Sequence, residues 1–108
     1  MNMGQTHAET YDEVINMLTK QPCVRKVYLY GSCARGTFTY KSDMDLLILV
    51  AEDTSKDVIK GIANLDFGLH YSSPDVQLVV KPLSYLNEKS TFLDRIRKDW
   101  KLAYENIS

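Results

Sequence analysis

Two aspartates, Asp43 and Asp45, stand two residues apart at the head of an apolar run, Leu46-Leu47-Ile48-Leu49-Val50. In an extended strand, side chains alternate between faces. Both carboxylates therefore project the same way, with Cα atoms roughly 6–7 Å apart. Two like charges so close raise each other's pKa unless a cation lies between them. A hard divalent ion such as Mg²⁺ suits oxygen donors and leaves positions open for phosphate oxygens. Asp75 heads another apolar run and is the best-placed third carboxylate; Asp66 competes with it but falls inside an expected helix.

Twelve residues before Asp43 lies Gly31, followed by Ser32 and Arg35. A glycine lets backbone approach a ligand that a Cβ would hold off. Ser32 opens a turn whose free N–H groups favour an anion and adds a hydroxyl donor. Arg35, one turn on, offers a planar fork of donors to the same anion. A Gly-Ser pair alone is usually only a turn, a lone D-x-D is a weak signal, and most arginines are solvated. Together they describe a phosphate cradle beside a dicarboxylate metal site, which is the apparatus of phosphoryl or nucleotidyl transfer.

These groups must be held by a small scaffold. The sequence has 108 residues, 44% hydrophobic and 25% charged, with a formal net charge of −1. That is the composition of a globular chain, read as one domain over residues 1–108. The balance gives no bulk attraction for nucleic acid or membrane, so direct nucleic-acid binding is not expected and any polyanion must be held locally. Cys23 and Cys33 match no zinc or redox spacing, and the longest apolar run is too short to span a bilayer. A reducing, cytoplasmic setting is the expectation.

The elements follow from periodicity. Thr10 with Glu13 forms a capping-box pattern for a helix to about residue 20, stopped before Pro22. Residues 24–30 are β-branched and aromatic and predict a strand, with Val27, Leu29 and Gly31 on one face and Tyr28 and Tyr30 on the other. A single helical turn should run from Ser32 to Gly36. Residues 43–50 predict a strand apolar on both faces, as in the middle of a sheet. Val58, Ile62, Leu65 and Leu69 predict a helix over 55–70, and residues 75–80 a third strand. Short helices are expected at 83–88 and 91–99, with Phe92, Leu93 and Ile96 inward, then a short edge strand at 100–104. The fold class is α+β, an α/β sandwich: a short mixed sheet with helices on one face.

The stretch G-S-C-A-R-G-T-F-T-Y-K-S-D-M-D-L resembles the G-S-x-A-R-G-x(5)-S-D-x-D-L signature of the polymerase-beta-type nucleotidyltransferase superfamily. The size, and the closing F-L-D-R-I-R-K-D-W-K-L-A-Y-E, are similar to its minimal nucleotidyltransferase (MNT) branch. The resemblance implies that Gly31 and Ser32 hold a nucleoside triphosphate, most often ATP. It implies that Asp43, Asp45 and Asp75 bind two Mg²⁺ ions, with Asp75 helping to deprotonate the attacking hydroxyl. Arg35 and Ser42 fall at signature positions that support the triphosphate and the first Asp. Members of this branch commonly act as antitoxins to a HEPN-domain toxin, some by transferring AMP to its tyrosine. Two other functions fit the same residues: a binding antitoxin that neutralises by contact, using exposed Phe38, Tyr40 and Tyr71, and an aminoglycoside-type small-molecule nucleotidyltransferase.

Overall fold

The first helix owes its start to Thr6. Its hydroxyl accepts from the Glu9 amide and the Glu9 carboxylate accepts from the Thr6 amide, each at 3.1 Å. Helix α1 therefore spans His7–Thr19, one turn earlier than the Thr10/Glu13 pattern predicts. Both T-x-x-E repeats fit a capping box, and burial decides between them. Thr10 is wholly buried with Val14 and Leu18, the i, i+4, i+8 stripe that faces the core. The computed structural model describes residues 6–39, 42–65, 67 and 74–106.

Strand β1 (Val24–Tyr30) leads into a one-turn helix α2 (Ser32–Arg35), and β2 (Met44–Val50) follows. Helix α3 (Lys56–Ala63) begins at Ser55, whose hydroxyl accepts from the Val58 amide. It ends at Asn64, well short of residue 70. Leu69, in the later part of the expected helix, lies outside the described residues, as does Asp66. Strand β3 (Val76–Pro82), a 3₁₀ turn (Leu83–Asn87), α4 (Thr91–Ile96) and β4 (Lys101–Glu105) complete the order. The expected helix at 83–88 is this 3₁₀ turn, and α4 stops three residues early.

The four strands form one mixed sheet in the order β3-β2-β1-β4. β1 is antiparallel to both β2 and β4, while β2 and β3 are parallel, with α3 in their connection. Parallel neighbours need such a crossover. Every residue of β2 except Asp45 is buried, as an apolar central strand requires. Leu46, Ile48 and Val50 pack with Val14 and Leu18 of α1 and Ile62 of α3. Leu47 and Leu49 pack on the opposite face with Leu93 and Ile96 of α4. Thus α1 and α3 cover one face as anticipated. The 3₁₀ turn and α4 add a further layer because the odd-numbered leucines of β2 also need cover. Among the described residues no helix is long and apolar enough to cross a membrane.

Candidate active site

The register of the central hairpin builds the site. Tyr30, the last residue of β1, pairs with Asp45, the second of β2. Gly31 therefore leaves the sheet directly beside the Asp45 carboxylate. Its backbone has φ +76° and ψ −157°, a region essentially reserved for glycine. A Cβ here would sit 2.6 Å from Asp45 Oδ2. The chain needs glycine twice over, for its conformation and for this close approach.

Helix α2 starts at once. The Ala34 and Arg35 amides donate to the Gly31 carbonyl at 3.1 and 3.2 Å, so those of Ser32 and Cys33 precede the first helical bonds. Gly36 at φ +76° ends the turn in the left-handed conformation. From there the chain passes through Phe38 and Thr39 to Ser42. The Ser42 hydroxyl accepts from the Thr39 amide at 2.9 Å, and its own amide donates to the Thr39 carbonyl at 2.9 Å. The His7 ring lies 4.7 Å from that of Phe38, and its Nε2 sits 2.8 Å from the Ser42 carbonyl. Ser42 thus closes the turn that delivers Asp43 into the site, and the start of α1 clamps that turn.

Burial and the two aspartates together set the electrostatics around the acid pair. Asp43 is exposed and Asp45 partly buried. Burial, then the charge of Asp43, hold the Asp45 carboxyl above the usual carboxylate range. The Cys33 thiol, placed against the Asp43 carbonyl at 3.5 Å, is raised by burial, then by Asp45 and Asp43. Tyr30 is pushed up to about 12 by burial, with Asp45 and Tyr85 adding to the shift and Arg95 opposing it. Each shift disfavours more negative charge beside the aspartates. A cation there would offset the aspartate contribution to each shift, and the donors are hard oxygens suited to Mg²⁺.

Asp75 is joined to the pair through its backbone: its carbonyl accepts from the Met44 amide at 2.8 Å. It is exposed and sits just ahead of β3. In the parallel pairing, Met44 is level with Val76 and Asp45 with Gln77. The β3 side chain beside Asp45 is thus a neutral amide. Among the described residues, no three His, Cys, Asp or Glu side chains gather closely enough to hold a metal ion. The structure brings Asp43 and Asp45 together and leaves Asp75 at the margin.

A cleft of about 180 Å³ opens on this edge, lined by Tyr30, Gly31, Arg35 and Asp45 on one side and Phe92, Arg95, Ile96 and Asp99 on the other. Arg35 Nη1 lies 3.5 Å from Asp99 Oδ2 across it. Sequence reasoning picked out one wall only. The second had a signal available, since 92, 95, 96 and 99 follow i, i+3, i+4, i+7 spacing. The same periodicity predicts only core contacts for Phe92 and Ile96.

The chain matches the sequence profile of the Polymerase beta, Nucleotidyltransferase family over residues 12–107. It belongs to that family. No curated protein matches the chain. Among solved structures it is similar to a toxin–antitoxin complex with AMP-PNP, at 25% identity and TM-score 0.58, over 90% of this chain and 74% of that one. It is similar to a chain of the MntA–HpeT toxin–antitoxin pair at 25% identity and TM-score 0.60, over 95% and 76%. A tri-AMPylated Shewanella oneidensis HEPN toxin in complex with MNT antitoxin gives 21% identity and TM-score 0.57, over 94% and 74%, a likeness of fold. The small mixed sheet with its helices is thus the nucleotidyltransferase fold, and the D-x-D pair and Gly-Ser turn sit where one strand edge unites them.

Proposed function

We propose that this nucleotidyltransferase moves AMP from ATP to a hydroxyl acceptor, a tyrosine of a HEPN-type toxin partner, and so acts as an antitoxin. The observation that carries the reading is how closely the Gly31 backbone passes the Asp45 carboxylate, near enough that a Cβ at Gly31 would clash with Oδ2. It fuses the anion-binding turn and the acid pair into one site. The toxin–antitoxin neighbours, one with AMP-PNP and one with an AMPylated HEPN toxin beside its MNT antitoxin, support the substrate and partner.

In the proposed reaction the acceptor oxygen attacks the α-phosphorus in line. The bond from that phosphorus to the bridging oxygen breaks, and pyrophosphate leaves with the electron pair. The N-terminal amides of α2 and the Ser32 hydroxyl orient the triphosphate, and Gly31 keeps that approach free of a side chain. Asp43 and Asp45 would hold Mg²⁺, which when bound neutralises phosphate charge and polarises the reacting group. Asp75 is the candidate to take the acceptor proton, from the margin of the site. Incubation with labelled ATP, Mg²⁺ and a HEPN partner should label the partner, and Asp43→Asn with Asp45→Asn should abolish the label.

One observation favours a second reading, neutralisation by contact without required catalysis: Gln77, not an acid, stands level with Asp45. A double Asp variant that transfers no label yet still silences the partner would establish it.

A further inference from the structure

The cleft has two arginines, and the signature accounts for one. Arg35 comes from α2, on the wall that holds Gly31 and Asp45. Arg95 comes from the last turn of α4, on the opposite wall. Its charge reaches Tyr30 on the facing wall. Arg35 is engaged by Asp99, with side chains 49% and 33% exposed. That pair is open to water and easily exchanged.

A volume of about 180 Å³ is below the roughly 300–1,000 Å³ of sites that enclose a whole drug-sized ligand. The cleft suits the charged tail of a nucleotide better than its base. Two guanidinium groups on facing walls are the donor set that a polyphosphate needs, because each presents a rigid fork of N–H groups. Asp99 occupies one of those forks, as a carboxylate standing where a phosphate oxygen would bind.

We infer that Arg95 is a second polyphosphate-binding residue of this site, and that Asp99 is a resident counter-anion which the incoming phosphate displaces from Arg35. The inference deepens the nucleotidyltransferase reading, since it assigns the grip on the β- and γ-phosphates to α4. It also gives the two walls different roles. The β1–β2 wall carries the proposed reacting centre, and the α4 wall supplies a second grip on the phosphate chain.

The test uses binding of inorganic tripolyphosphate, ATP and AMP to the full chain, read by calorimetry, beside the transfer assay. Arg95→Gln should weaken tripolyphosphate and ATP by about tenfold or more, the worth of a charge-assisted hydrogen bond, and leave AMP nearly unchanged. Arg95→Lys should recover part of the loss. Asp99→Asn should tighten tripolyphosphate by up to about fivefold, the scale of an exposed pair. Circular dichroism confirms that each variant is folded.

Equal tripolyphosphate affinity with and without Arg95 overturns the inference, whatever transfer shows. So does a wild-type chain that binds no tripolyphosphate. A loss with Asp99→Asn as large as that with Arg95→Gln also overturns it, since the pair would then be structural. Arg95-dependent binding in a chain that transfers no AMP sustains the inference while removing the catalytic reading.

Discussion

The two faces of the sheet are built from the same strands to different ends. Beneath α1 and α3 the cover is mostly aliphatic, with Val14, Leu18 and Ile62 against Leu46, Ile48 and Val50. Beneath α4 it is aromatic and partly open. Tyr28 stacks on Trp100 with centroids 3.8 Å apart and planes 8° apart, and Tyr30 meets Phe92 edge-on at 5.4 Å. The cleft lies at the margin of the aromatic face. The comparison suggests a division of labour. The aliphatic face closes the core beneath α1 and α3, and the aromatic face leaves room for charged groups at its edge.

The largest effect that would sharpen this contrast is on stability. Ile48→Ala, on the aliphatic face, should cost about 2–5 kcal/mol in chemical denaturation. Per folded molecule it should leave nucleotide affinity unchanged; a drop in affinity would break the division. Gly31→Ala should cost some stability as well, about 1–3 kcal/mol of backbone strain, but its main effect should fall on transfer. Its Cβ would meet Asp45 Oδ2 at 2.6 Å, and the resulting displacement should lower AMP transfer by about a hundredfold. A variant as active as the parent would show that the contact is dispensable.

A double-mutant cycle on Tyr28 and Trp100 should give a coupling of about 0.5–1.5 kcal/mol, as for other aromatic pairs. A coupling near zero would make the aromatic face merely a looser version of the aliphatic one.

The smallest signal concerns pH. The Asp45 carboxyl is raised by burial first and by Asp43 second. Its neutral form is therefore favoured in the fold. Its stabilising share is complete below the ordinary Asp range and is lost as pH rises through the raised value. The proposed Mg²⁺ binding would have the opposite dependence, because the ion needs the carboxylate: affinity should fall on acidification before an ordinary Asp would protonate. Carboxyl-carbon NMR titration should show the Asp45 midpoint move down in Asp43→Asn. An unmoved midpoint would exclude coupling between the two acids.

The motif from Gly31 to Leu46 was legible because its chemistry is local. Residue types, a two-residue spacing and a glycine turn suffice to bring Asp43, Asp45 and Gly31 together. The strands were legible for the same reason, even to the short β4. What escaped the sequence depended on tertiary choice. Thr6 and Thr10 head equivalent capping patterns, and only burial of Thr10 against the sheet selects the first. Arg35 was expected to face phosphate, and its Asp99 partner lies 64 residues on, beyond any local pattern. Ser42 holds the turn that leads into Asp43 by accepting from the Thr39 amide. The place of Asp75 depends on the pairing of β2 with β3, which sets Gln77, two residues later, beside Asp45. Tyr40 and Tyr71, read as contact aromatics, lie outside the described residues. Phe38 is exposed, with His7 against its ring.

The irregularity in the β1–β2 pairing falls between Val24 and Lys26, at the end of the hairpin far from the site. From Lys26 to Tyr30 the partners then run one for one down to Asp45. Because side chains alternate, an extra residue inside that regular stretch would carry Asp45 from one side of the sheet to the other relative to Gly31. An extra residue in the 36–42 connection would change the reach of the turn but not the phase of either strand. Length variation is therefore tolerable in the connection and at the bulge, and forbidden in the five pairs between them. In those five pairs the phase of a β-ladder itself fixes where Asp45 stands relative to Gly31.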